Sequence, residues 1–258
     1  MQASAEETGG VLFFMHIPKT AGTSLRAQIA RWCEPGAMEI SYANELCPLN
    51  PDSHFLHSVK QRRSRVKILF GHFGWGAHEL LDQPANSYAT VLRDPIERAV
   101  SFFAHVAREP RSRHYRAIQN GMTLKDLVLS HRAPELNNHY VRMLLGSRCW
   151  TLSLWPPDPS SPARPIDQLL NEHRLEEAWE RMRSSFCHVG RTERYADSLA
   201  ALARIVGGGG AISGEVERLN VKPPDAPRVD LDASTESVLR QYNALDIKLY
   251  HRVTGQWG

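Results

Sequence analysis

The stretch Val11-Leu-Phe-Phe-Met-His16-Ile-Pro-Lys19-Thr20-Ala21-Gly22-Thr23-Ser24-Leu25 decides how this chain folds. The apolar run at 11–15, with glycines before it and a proline soon after, suits a buried strand. Residues 17–24 read as a loop, after which Leu25, Ile29 and Trp32 recur at helical spacing. Strand, loop and helix in that order open a nucleotide-binding α/β domain. The loop carries a lysine, a glycine and three hydroxyls into a helix N-terminus, where backbone N–H groups favour anions. Gly22 permits close approach and Lys19 adds a point charge. This is not a Walker A loop, because the lysine precedes the glycine and no Gly-Lys-Ser/Thr follows. An ordinary ATPase or GTPase is therefore disfavoured. Taken alone, the loop is equally a capped surface turn that happens to hold a lysine.

Further buried strands are expected at 66–70, ending in Gly71-His72, and at 88–92, ending in Arg93-Asp94-Pro95. Asp94 suits a helix N-cap and Pro95 the first helical position, so a helix should run over 95–108. Along it Arg98 and Ser101 share a face with the Asp94 end, and Arg93 stands just before. A planar guanidinium and a serine hydroxyl together can hold a second phosphate. Alone, the same segment reads as an N-capped helix with a structural ion pair. Three strand ends thus deliver polar clusters to one sheet edge, where open α/β sheets bind ligands. Beyond residue 120, helices are expected at 124–130, 134–145, 166–183, 192–206 and 235–253, a strand at 186–189 and a Pro-rich loop at 155–165. With no internal repeat or linker, one domain over 11–258 follows a disordered tail at 1–10.

Composition narrows little else. A net charge of +3 over 258 residues does not argue for nucleic acid. No run approaches the roughly 20 apolar residues that span a bilayer, and the acidic leader lacks a secretory pattern. Cys33, Cys47, Cys149 and Cys187 lack the close pairing of zinc sites or disulfide frameworks. Reduced thiols and a cytoplasmic location are the expectation.

The loop 16–25 and the segment 93–101 resemble the two motifs by which sulfotransferases bind 3′-phosphoadenosine 5′-phosphosulfate (PAPS). The likeness is greatest to the branch containing heparan sulfate 2-O- and 6-O-sulfotransferases, whose first loop reads close to His-Ile-Pro-Lys-Thr-Gly-Gly-Thr; Ala21 stands here for one glycine. The resemblance implies a P-loop NTPase-like α/β fold with a mostly parallel central sheet flanked by helices. It implies that Lys19, Thr20, Ala21, Gly22, Thr23 and Ser24 hold the 5′-phosphosulfate, and Arg93 and Ser101 the 3′-phosphate. Glu135-Leu-Asn-Asn138-His-Tyr-Val-Arg142-Met-Leu resembles the family's acceptor-side helix, and 189–199 its later Gly-x-Thr-Glu segment. The loop Arg218-Leu-Asn220-Val-Lys222-Pro lies where the family often places a segment over the nucleotide. Lys222 or Asn220 is then a cofactor contact, or the loop is simply solvent-exposed.

A sulfuryl acceptor loses a proton as it attacks, and histidine, with an unperturbed pKa of about 6.5, suits that task near neutrality. In Phe70-Gly71-His72-Phe73-Gly74-Trp75-Gly76 the resemblance maps the family's catalytic histidine onto His72; His16 and His78 are rivals. The basic runs at 62–67 and 111–116 are either solvated faces or attractors of an anionic acceptor. Trp75 and Trp155 are either packing residues or platforms for a sugar ring. The expected activity is sulfuryl transfer from PAPS to a hydroxyl or amine of a small-molecule or carbohydrate acceptor, catalysed by His72 and Lys19 without a metal. A nucleotide-dependent small-molecule kinase and a non-catalytic nucleotide- or glycan-binding protein are the alternatives. Nothing in the sequence bears on oligomeric state.

Overall fold

The computed structural model describes residues 10–41, 54–146, 170–207, 229 and 231–256. Five described strands, β1 (Leu12–Met15), β2 (Met38–Ser41), β3 (Ile68–Gly71), β4 (Tyr88–Leu92) and β5 (Phe186–Arg191), form one parallel sheet in the order β2-β3-β1-β4-β5. Around it lie α1 (Gly22–Trp32), α2 (His54–Gln61), α3 (Pro95–Val106), α4 (Tyr115–Gln119), α5 (Leu124–Leu129), α6 (His139–Leu145), α7 (Glu172–Ser185), α8 (Tyr195–Ile205), α9 (Ala233–Tyr242) and α10 (Ala244–Gln256). This is the P-loop-like α/β architecture expected from the sequence.

The central strand shows why an unbroken apolar run works here. Successive side chains of a strand point to opposite faces. Leu12 and Phe14 join Leu25 and Ile29 of α1 and Leu199 and Leu202 of α8 on one side. Phe13 and Met15 join Tyr140, Leu175, Met182 and Leu249 on the other. With helices over both faces, a parallel strand has no polar side to show. A third cluster, including Ala99, Phe102, Leu127 and Leu239, packs α3 against α5 and α9.

Helix starts follow local chemistry. The Asp94 carboxylate accepts from the Ile96 and Glu97 N–H groups with Pro95 in the first turn. Thr123 and Asp126 form a reciprocal capping box on α5. Several boundaries differ from the sequence reading. The segment 134–145 is not one helix: Pro134–Leu136 is a short 3-10 turn, and Asn138 takes a left-handed φ of 40° before α6 begins. Asn138 is drawn out of helical geometry because its Oδ1 accepts from the Leu245 and Asp246 N–H groups at 2.9 and 3.2 Å. The helix expected over 235–253 is two, α9 and α10, parted at the buried Asn243, whose Nδ2 donates to the Leu136 and Leu239 carbonyls. α7 starts at Glu172 because the Asn171 side chain caps it at the Arg174 N–H; residues 166–169 lie outside the described residues. Thr192–Arg194 is a 3-10 turn ahead of α8. The sequence reading overlooked β2, in which only Ser41 is fully buried, because a half-exposed edge strand lacks the apolar run that marks its neighbours.

Candidate active site

β1, β3 and β4 end at one edge of the sheet, with the order reversing around β1, the place where a crevice forms in open α/β sheets. Met15 pairs with Gly71 in the β1–β3 register, so the residues that follow, His16 and His72, meet. Their rings stack with centroids 4.5 Å apart and planes inclined by 24°. The His72 Nδ1–H donates to the His16 carbonyl oxygen at 2.7 Å, which leaves the lone pair of the neutral ring on Nε2. The buried His16 ring also contacts Phe70, 5.3 Å between centroids, and lies against Gly22. A Cβ on Gly22 would stand 1.6 Å from His16 Nε2; the glycine is required by the ring beside it. Burial pushes both histidines below the ordinary 6.5. At His16 the charges of His72, Arg26 and Lys19 push the same way, whereas at His72 the bond to His16 opposes the shift. Both rings are accordingly neutral at pH 7, the form able to take up a proton.

The loop after β1 is bent by two non-glycine residues in left-handed conformation, Lys19 (φ 73°) and Ala21 (φ 63°). Thr20 is buried, its hydroxyl donating to the Ile17 carbonyl at 2.8 Å; it braces the loop from beneath and does not line the cleft. α1 has no side-chain cap, whereas Asp94, Thr123, Asn171 and Asp232 cap α3, α5, α7 and α9. The α1 N-terminus, like those of α4, α6 and α8, lacks the side-chain oxygen that serves these four, and on the cleft side an anion can take that place. Burial, then the nearby charges of Arg108 and Arg93, hold the Lys19 ammonium below its ordinary 10.5. An incoming anion relieves that repulsion.

A cleft of about 1320 Å³ gathers these groups. Lys19, Ala21, Gly22, Thr23 and Ser24 line one part, His72 and His16 the floor near β1 and β3, and Arg93 and Ser101 the start of α3. The Arg93 guanidinium touches Glu97 Oε2 at 3.2 Å. Arg98 departs from the sequence reading: it is fully buried, donates to the Glu135 carbonyl and lies 5.3 Å from the Tyr140 ring centroid. Its long side chain is drawn inward by that carbonyl and ring, so Ser101 reaches the cleft without it. His78 is taken out of contention as well, since it is buried away from the cleft with Nδ1 2.9 Å from the Tyr88 hydroxyl. Trp75 is a packing residue, its indole under Arg181 at 4.2 Å and its Nε1–H donating to Ser185. Arg111, Arg113 and His114 line the cleft, but the 62–67 run does not; there Arg62 pairs with Glu39 at 2.6 Å. Lys222, Asn220, Trp155, Cys47 and Cys149 lie outside the described residues.

The family model described as "Sulfotransferase family" matches residues 7–204. The chain belongs to the sulfotransferase family. No curated protein matches it. Among solved structures, that of mouse sulfotransferase SULT7A1 complexed with PAP aligns over 93% of this chain and 66% of its own, at 13% identity and a TM-score of 0.43. This chain thus spans 66% of that neighbour's length, and a likeness so slight adds no weight to the family match.

Within this sulfotransferase-family cleft, sequence reasoning passed over His105 and Arg108, which line it, and gave no role to Glu193, the glutamate of the Gly-x-Thr-Glu segment, which lines it too. His105 and Arg108 follow Ser101 at spacings of four and seven, the helical period that would have flagged them. Glu193 comes from the turn after β5, and only the tertiary fold brings it near Arg93. Cys33 and Cys187 are free thiols. Among the described residues no three His, Cys, Asp or Glu side chains are grouped to hold a metal ion, and no helix is long and apolar enough to cross a membrane.

Proposed function

We propose that the chain transfers a sulfuryl group from PAPS to a hydroxyl or amine acceptor, of the carbohydrate or small natural product kind. The observation that carries this reading is the shared lining of one cleft by Lys19 beside an uncapped helix N-terminus, by Arg93 and Ser101, and by His72. The donor is anionic at both ends, and the residues suit it: Lys19, residues 21–24 and the α1 N–H groups for the phosphosulfate, Arg93 with Ser101 for the 3′-phosphate. The likeness of the first loop to the heparan sulfate 2-O- and 6-O-sulfotransferase branch supports a carbohydrate acceptor.

The residues divide the chemistry between them. As the acceptor oxygen or nitrogen forms its bond to sulfur, its proton passes to His72 Nε2. The sulfur–oxygen bond to the 5′-phosphate breaks, and its electron pair remains on the phosphate, where Lys19 and the helix N-terminus stabilise the charge. The α1 loop and Arg93 orient the reacting atoms. This scheme calls for no metal, unlike a kinase, which needs a Walker lysine and magnesium.

Calorimetry with nucleotides tests the proposal. Because Arg93 and Ser101 are assigned to a phosphate that ADP lacks, 3′,5′-bisphosphoadenosine should bind more tightly than ADP by about one to two decades, or roughly 1.5 to 3 kcal/mol. Equal affinities would sink the reading. Transfer from labelled PAPS, screened over sugars, phenols and cell extract, should reveal the acceptor and persist in EDTA; loss on chelation with rescue by magnesium would favour the kinase alternative.

A further inference from the structure

The side chain of Arg93 is lightly held, its described partner being the exposed Glu97. Its backbone is not. The Tyr140 hydroxyl donates to the Arg93 carbonyl at 2.6 Å and accepts from the Arg93 N–H at 3.3 Å. One residue on, the Asp94 N–H donates to Glu193 Oε1 at 2.9 Å. The turn between β4 and α3 is therefore gripped from two sides before the Asp94 carboxylate starts the helix.

The support behind Tyr140 is itself built. Its ring is fully buried. The Tyr140 and Val141 N–H groups donate to the two carboxylate oxygens of the buried Asp246 at 2.9 and 3.0 Å, and Asn138 Oδ1 returns the grip to the N–H groups of Leu245 and Asp246. α6 and α10 are thus locked to each other, and the phenol reaches from that lock to the end of β4. A phenylalanine would fill the same apolar space, so the hydroxyl is explained by the Arg93 peptide groups it satisfies. Glu193 tells the same story by its charge. A carboxylate lining an anion cleft repels the ligand, so its place there is accounted for by what it holds, the Asp94 N–H and the Tyr250 hydroxyl of α10.

We propose that Tyr140 and Glu193 are positioning residues, which fix the Arg93–Asp94 turn so that the Arg93 guanidinium meets the 3′-phosphate. The inference rests on the assignment of that phosphate to Arg93 and Ser101. It makes selectivity for a 3′-phosphorylated nucleotide a property of the α6–α10 lock as well as of the side chains that touch the ligand.

The test measures 3′,5′-bisphosphoadenosine and ADP binding in parallel. Tyr140→Phe should weaken bisphosphate binding about five- to tenfold, the worth of a degraded charge-assisted contact, and leave ADP binding unchanged. With the true acceptor, KM for PAPS should rise while kcat at saturating PAPS holds. Glu193→Ala and Glu193→Gln lose the same charge, but glutamine keeps an oxygen for the Asp94 N–H. The alanine variant should therefore bind the bisphosphate about two- to fivefold more weakly than the glutamine variant, with equal ADP binding. A folded Tyr140→Phe that keeps the wild-type preference, or that loses both nucleotides together, overturns the inference. If Tyr140→Phe does not fold, the Glu193 pair decides, and equal bisphosphate affinities overturn it. Wild-type protein without a preference would overturn the phosphate assignment and this inference with it, whereas a wild-type preference that survives in the variants strikes the inference alone.

Discussion

His72 and Lys19 line the same cleft, yet their loss should read out differently. His72→Ala removes a proton acceptor and should lower kcat by about 10² to 10⁴-fold with bisphosphate affinity nearly unchanged. Lys19→Ala should impair both nucleotide binding and turnover, because the ammonium is assigned to the donor itself; single-turnover kinetics beside calorimetry separates the two. The pH profile adds a further check. Burial holds His72 below 6.5, against a smaller opposing effect of its bond to His16. A base must be deprotonated to act, so kcat/KM should be flat through pH 7 and fall only as the pH drops through a value below 6.5. An acid limb centred above 7 would assign the base elsewhere, and not to His16, which burial and the neighbouring charges hold well below 6.5.

At the scale of the element, the β1–α1 loop stores backbone strain at Lys19 and at Ala21, and the share at Ala21 is carried by a single methyl group. Ala21 holds φ 63°, a conformation costing an alanine about 1 to 2 kcal/mol, while glycine gives back some of that gain through its freer unfolded chain. Ala21→Gly should therefore stabilise the protein by about 0.5 to 1 kcal/mol with nucleotide binding retained, seen as a higher Tm. Its neighbour behaves oppositely. The methyl of Gly22→Ala would occupy the His16 ring, so that variant should lower Tm and abolish bisphosphate binding as the ring is driven off Gly22 and out of its stack on His72. Wild-type Tm in Gly22→Ala would contradict the close approach.

Across the described residues of the molecule, seven histidines, His16, His72, His78, His105, His114, His139 and His188, are held below 6.5, in each case chiefly by burial. A depressed histidine binds more protons unfolded than folded as the pH drops below 6.5, so its contribution is intact above 6.5 and is lost on acidification. His114 and His188, at about 4, extend that loss down to about pH 4. Asp246 runs the other way: burial raises it to about 6 from 3.8, so it costs stability as the pH rises through that window and returns it on acidification. Seven groups outweigh one. Tm should stay level from pH 8 to 7 and fall between pH 6.5 and 4, and a Tm that rose over that interval would show that Asp246 dominates.

Much of this was legible in the primary structure, for local reasons. The runs at 11–15, 66–70 and 88–92 marked buried parallel strands because both sheet faces are covered, and Asp94-Pro95 marked the start of α3 because capping needs only neighbours in sequence. The loop 16–25 and the segment 93–101 were legible as polar clusters at strand ends, and residues of both line one cleft. Tertiary structure decided what depends on contacts between distant residues. The β1–β3 register set His72 upon His16; Tyr88 drew His78 away; Tyr140 and the Glu135 carbonyl pulled Arg98 into the interior; Glu193 came to the Arg93 turn from a hundred residues downstream. Periodicity assigns a side chain to a face of its own element, but the partner that face meets is fixed only when the sheet closes and its helices pack.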